Sequence, residues 1–132
     1  MKKVLIIDDC QIICDVIQAA LEVDGFDCRS CNSGEAAKQL LLENHYTTVF
    51  LDVSLPDADS IEIASFIRQR SLISQIVIIS GNMNEDVFYQ FINLRVNDFF
   101  LKNNLSITDL RRVVGEAFWR QERLASLFPE IK

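Results

Sequence analysis

KVLIIDD at residues 3–9 and TVFLD at residues 48–52 decide how this chain folds. Each is an apolar run too short for a helix that stops on an acid, and such runs read as strands buried on both faces. Two more follow, QIVIIS at 75–80 and DFFLK at 98–102, the last ending on Lys102. Parallel strands carry their ligand sites at their carboxyl ends. Asp8, Asp9, Asp52 and Lys102 are therefore expected to converge on one pocket at one edge of one sheet. Three carboxylates gathered there need a cation, which is the chemistry of a Mg²⁺ site beside a phosphoryl acceptor.

Between the short runs lie longer stretches of helical period, the signature of a parallel sheet covered on both faces. Strands are predicted at 3–7, 26–30, 48–51, 75–79 and 98–101. The helical stripes are Ile13, Val16, Ile17, Ala20 and Leu21; Ala36, Ala37, Leu40 and Leu41; Ile61, Ile63, Ala64 and Ile67. A fourth holds Val87, Phe88, Phe91 and Ile92, and a fifth Ile107, Leu110, Val114, Ala117 and Phe118. The pattern is (βα)₅. Ser33 reads as the N-cap of the second helix and Asp59 or Ser60 as that of the third. Pro56 stiffens the loop beyond Asp52, and the fifth helix is expected to run on until Pro129.

A chain of 132 residues, 49% hydrophobic and 24% charged, has the make-up of one domain with one core. Its net charge of -6 argues against nucleic acid or anionic lipid held by the overall field. The four apolar residues at 4–7 are too few for a signal peptide, so a cytoplasmic protein with no membrane partner is expected. Cys28 and Cys31 form a CxxC, but no second thiol pair or histidine cluster completes it, and the four cysteines read as reduced, partly buried residues.

IIDD at 6–9, NSGEAA at 32–37, FLDVSLPDAD at 50–59, VIISG at 77–81 and DFFLK at 98–102 together resemble the receiver domains of bacterial two-component response regulators, the CheY-like superfamily. The likeness runs from residue 3 to about 118. It implies a doubly wound, flavodoxin-like α/β sandwich with a parallel five-stranded sheet of order 2-1-3-4-5, and a receiver domain over 1–120 with 121–132 as a helical extension or linker. Asp52 is then the phosphoacceptor. Asp8, Asp9, Asp52 and the backbone carbonyl of Ser54 would hold Mg²⁺. Lys102 would pair with Asp52 and later with the phosphoryl group, and Ser80 would donate to a phosphoryl oxygen. Gly81 would leave room for the donor. Ser80 and Phe99 would form the switch. The donor would be a sensor histidine kinase or phosphotransfer protein, docked on the first helix near Ile12. The fourth helix, fifth strand and fifth helix would carry the signal to a downstream protein or output domain, or form a homodimer, with Tyr89 and Trp119 as contacts.

The sequence departs from the family in three places. Asn103 follows the lysine where proline, often on a cis bond, is usual; Ser60 stands where glycine is common; Arg95 and Val96 replace a usual Gly-Ala. A cis bond before Asn103 would cost about 3 kcal/mol, so a trans bond with a shifted loop or a strained site is expected. Two other readings stay open. One is a pseudo-receiver, an interaction module that never takes phosphate. The other is an aspartate-nucleophile phosphatase, in which a second aspartate two residues on protonates the leaving group; Ser54 holds that place.

Overall fold

In the computed structural model, which describes residues 2–130, five parallel strands lie in the order β2-β1-β3-β4-β5. They are β1 (Lys3–Ile7), β2 (Asp27–Cys31), β3 (Thr48–Asp52), β4 (Gln75–Ser80) and β5 (Asp98–Leu101). The helices α1 (Gln11–Glu22), α2 (Gly34–Glu43), α3 (Ser60–Arg70), α4 (Glu85–Ile92) and α5 (Ile107–Leu127) alternate with them. This is the doubly wound (βα)₅ sandwich the pattern predicts. Met1 and the last two residues of the 121–132 extension lie outside the described residues.

Strand residues alternate between two apolar layers, as a period of two requires. Leu5, Ile7, Val49, Leu51, Ile76 and Ile78 pack with Ile63, Ile67 and Phe91 on one face. Val4, Ile6, Phe50, Val77 and Ile79 pack with Ile17, Leu21, Leu110 and Val114 on the other. Chain order reverses direction across the sheet between β1 and β3, and a crevice opens at their carboxyl ends.

Several boundaries differ from the sequence reading. β2 spans Asp27–Cys31 instead of 26–30, because Phe26 leaves the ladder and sets its ring edge-on to Phe118 at 5.9 Å. In α1, Cys14 takes the core position given to Val16, which is exposed. α4 buries Phe91 alone, and Ile92 faces outward. β3 and β4 each run one residue further than expected, to Asp52 and Ser80. Ser33 caps α2 by accepting from Ala36 N–H at 3.2 Å, and Asp59 caps α3 by accepting from Ile61 N–H at 2.9 Å.

Cys10, Cys14, Cys28 and Cys31 are free thiols. Cys28 packs into one layer and Cys31 into the other, since residues three apart on a strand face opposite ways. Burial pushes the Cys14, Cys28 and Cys31 thiols up to about 11, which leaves them protonated and poorly nucleophilic.

One side chain ties α3 to the approach to β5. Arg68 donates through Nε to Leu94 O at 3.1 Å, and through Nη1 to Ser71 O at 3.2 Å and Ser74 O at 2.6 Å. Its Nη2 reaches Arg95 O at 2.8 Å and Asn97 Oδ1 at 3.3 Å. None of these acceptors is a carboxylate. Burial, and then the charge of Arg95, lower the Arg68 pKa from its ordinary value, although a guanidinium remains charged. Arg95 itself sits at φ 58°, the left-handed conformation that the turn into β5 demands of a non-glycine residue.

At the opposite end, the Gln121 amide donates to Thr47 O at 3.0 Å and Ile73 O at 2.9 Å, fastening the later part of α5 to the amino-terminal rim of the sheet. Among the described residues no helix is long and apolar enough to cross a membrane.

Candidate functional site

The carboxyl ends of β1 and β3 bring Asp8, Asp9 and Asp52 together, with one carboxylate oxygen of each lying within 4.8 Å of the others. Asp8 and Asp52 are buried and Asp9 is exposed at the mouth. Asp9 does not cap α1: the N-cap is Cys10, without a side-chain bond, while Asp8 Oδ1 accepts from Cys10 N–H at 2.8 Å. The carboxylate of Asp9 is thus left to the pocket.

Lys102 enters from the end of β5. Its Nζ lies 3.0 Å from Asp8 and 3.2 Å from Asp52 Oδ2, so one ammonium bridges two buried acids that neighbour each other. Burial acts to lower the Lys102 pKa, but hydrogen bonds and attraction from Asp8 and Asp52 outweigh it and raise the group above its ordinary value. Asp8 is shifted upward too, which for a carboxylate disfavours the charged form. Desolvation, aided by the charge of Asp52, raises its pKa against the lowering effects of Cys10 N–H and Lys102.

Both Asp8 oxygens approach Lys102, yet Asp8 Oδ2 is buried with no hydrogen bond of acceptable geometry. One ammonium cannot neutralise three neighbouring carboxylates, and a hard cation takes carboxylate oxygens as its ligands. The donor set of carboxylate oxygens therefore fits Mg²⁺. Ser54, exposed, donates its N–H to Asp52 Oδ1 at 3.1 Å, so Asp52 is held through both oxygens, one by the loop and one by Lys102.

Ser80 ends β4 buried, but its hydroxyl is turned onto its own loop: it donates to Asn82 O at 2.6 Å and accepts from Asn82 N–H at 3.1 Å. Gly81 is exposed, with open space where a side chain would project. Phe99 is half-buried, its ring centroid 4.8 Å from that of Phe88. The Lys102–Asn103 peptide is trans, because Lys102–Asn104 forms a 3-10 turn and no cis bond occurs among the described residues.

The loop after Asp52 is fixed by residues whose role sequence reasoning missed. Asp57 Oδ1 accepts from Gly34 N–H at 2.8 Å and Oδ2 from Glu35 N–H at 3.3 Å, so the loop sits on the first turn of α2. Gly34 permits this approach, since a β-carbon there would collide with Ala58 and crowd Ile63 Cδ1. The Gly34 and Glu35 N–H groups hold Asp57 below its ordinary value of 3.8. A depressed folded pKa adds stability that is present above the unfolded value and lost as pH falls through the folded one. Asp57→Asn is therefore expected to melt lower than wild type at pH 7, and the gap is expected to close on acidification below about pH 3.8. A gap that stays constant through that range, in thermal melts followed by circular dichroism, rules out the carboxylate as its source.

Comparison with known proteins bears on the family and the fold. A family model for the response regulator receiver domain matches residues 4–114. Among curated relatives, the transcriptional regulatory protein BasR of Escherichia coli is 31% identical over 79 residues, covering 60% of this chain and 36% of BasR. The transcriptional regulatory protein SrrA of Staphylococcus aureus is 33% identical over 67 residues, covering 51% of this chain and 28% of SrrA. The matches thus span only about a third of those relatives. Among solved structures, a CheY-like receiver domain from Methanospirillum hungatei has a TM-score of 0.86 at 19% identity, covering 93% of this chain and 98% of that one. The beryllofluoride-activated NtrC4 receiver domain dimer has a TM-score of 0.83 at 27% identity, covering 91% and 98%.

Proposed function

This chain belongs to the response regulator receiver domain family, and from that premise we propose that it accepts a phosphoryl group on Asp52 and signals through the change that follows. Receiver domains are signalling modules of two-component systems, so the covalent step is a modification of the protein's own carboxylate.

The observation that carries the assignment is the convergence of Asp8, Asp9 and Asp52 on one spot, with Lys102 bridging Asp8 and Asp52. Bound Mg²⁺, held by Asp8, Asp9, Asp52 and the Ser54 carbonyl, would supply charge neutralisation for the incoming phosphoryl oxygens. One Asp52 oxygen attacks phosphorus as the donor's leaving group departs with its bonding pair. The Lys102 ammonium follows the negative charge from carboxylate to phosphoryl group, which a compact cation on a flexible stem can do. The Ser80 hydroxyl must leave Asn82 to donate to a phosphoryl oxygen, drawing the β4–α4 loop inward. Half-buried Phe99 is the side chain whose repacking against Phe88 passes that movement to the outer face.

The donor is a sensor histidine kinase or phosphotransfer protein, and Ile12, 73% exposed on α1, suits its docking. Tyr89 and Trp119, 60% and 63% exposed, suit contacts with a downstream protein, an output domain or a second copy. Their aromatic rings offer large apolar area at small entropic cost.

Metal removal tests the reading. With acetyl phosphate and Mg²⁺, intact mass is expected to show one acid-stable, base-labile phosphoryl group on the wild-type protein, and none in excess EDTA. An unmodified protein under both conditions supports the pseudo-receiver in place of this reading. Steady turnover of a phosphomonoester points instead to a phosphatase, against the placement of Ser54 where a general acid is required.

A further inference from the structure

Ser60 is the first residue of α3 and is 3% exposed, yet its hydroxyl does not cap the helix; Asp59 does. The Ser60 hydroxyl instead turns back eight residues and donates to the carbonyl of Asp52, with a second acceptor in the carbonyl of Val53 at 3.1 Å. A hydroxyl has one proton, so this is a three-centre bond joining the start of α3 to two successive peptide planes at the end of β3. Val53 N–H meanwhile donates to Ile79 O at 3.2 Å, which ties the same peptides to β4 from the other side. The Asp52 side chain springs from the backbone so held, and Ser54 N–H, one residue beyond Val53, donates to Asp52 Oδ1 at 3.1 Å.

We propose that Ser60 is a positioning residue for the phosphoacceptor: by gripping the Asp52 and Val53 carbonyls, it sets the angle at which the Asp52 carboxylate and the Ser54 peptide face the acid cluster. This rests on the reading of Asp52 as acceptor. In-line attack on phosphorus depends on an oxygen presented at near-attack distance, and a displacement of about 1 Å in a reacting group can cost roughly a hundredfold in rate. Ser60 touches no reacting atom, so its whole effect passes through the backbone of residues 52–54. Neither alanine nor glycine at position 60 has a donor to replace it. Threonine keeps the hydroxyl and adds a methyl group.

The experiment compares wild type with Ser60→Ala, Ser60→Gly and Ser60→Thr in two measurements. The first is amide hydrogen exchange of the metal-free proteins, which needs neither Mg²⁺ nor phosphate. Ser60→Ala and Ser60→Gly are expected to exchange the Val53 and Ser54 amides roughly tenfold faster than wild type, beyond any rise common to the whole sheet. The second is the rate of labelling by acetyl phosphate at saturating Mg²⁺. It is expected to fall about tenfold in its maximum, with little change in half-saturating acetyl phosphate, and to be restored at least in part by Ser60→Thr.

Wild-type exchange at 53–54 together with wild-type labelling in Ser60→Ala overturns the proposal. So does faster exchange spread evenly over all strands, which marks a loss of stability alone. A wild-type protein that takes no label fails the acceptor reading separately, because the exchange measurement still reports whether Ser60 holds the turn. If Ser60→Ala does not fold, Ser60→Gly, which needs no room for a side chain, carries the same comparison.

Discussion

Asp52→Asn takes up no phosphoryl group from acetyl phosphate with Mg²⁺, while the protein stays folded and its stability in EDTA changes by no more than about 1 kcal/mol. The chemical half follows from nucleophilicity: an amide oxygen is not a phosphoryl acceptor under conditions where a carboxylate is. The stability half follows from the charges. Lys102 keeps Asp8 as a partner at 3.0 Å when the bond to position 52 weakens. Asp8 loses the neighbouring negative charge that helps to raise its pKa, so the lost attraction is offset by lost repulsion. Intact mass and thermal melting on one preparation measure both. Label retained at the wild-type level removes Asp52 as the acceptor, whereas an unfolded variant shows that the charge balance is wrong.

Arg68→Ala is expected to be the most damaging single change outside the acid site, at about 3 kcal/mol, or a melting point lower by roughly 10 °C. Five hydrogen bonds from one guanidinium end at once, and the Ser71, Ser74, Leu94 and Arg95 carbonyls lose that donor together. Because Arg68 is only half-buried, water replaces part of what is lost, which keeps the figure below the sum of the bonds. Arg68→Lys is expected to recover little, since an ammonium cannot span acceptors arranged for a planar fork. The damage should be local first. Exchange at Leu94–Asn97 is expected to accelerate before that of β1 and β3, because α4 buries only Phe91 and depends on this anchor. A loss under about 1 kcal/mol in denaturant melts refutes the clamp.

What the sequence made legible was governed by burial. β1, β3 and β4 are covered on both faces, so their apolar runs had no competing explanation, and the acids that end β1 and β3 followed. β2 is an edge strand of sequence DCRSC with three of its five residues exposed, so no apolar stripe marks its start. The stripe in α1 went to Val16 because it is the more apolar residue, whereas geometry puts Cys14 in line with Ile17 and Leu21. α4 buries only Phe91, and Ile92 is exposed away from that core.

The convergence of Asp8, Asp9, Asp52 and Lys102 was legible because strand ends place it. The fastening of the loop between them was not. Ser60, Asp57 and Arg68 work by reaching backbone groups up to twenty-seven residues away. A serine, an aspartate and an arginine in a sequence carry no mark of which carbonyl or N–H they will meet. The hydroxyl of Ser80 shows the same limit, since its bonds to Asn82 depend on a loop path that no pattern announces.

The Gln121 amide has a mechanical meaning. By straddling Thr47 and Ile73 it roots the helix as a cantilever is rooted, six residues, or about 9 Å, before its end at Leu127. Rooted there, α5 is held to the rim of the sheet that lies opposite the acid cluster, at Thr47 and Ile73.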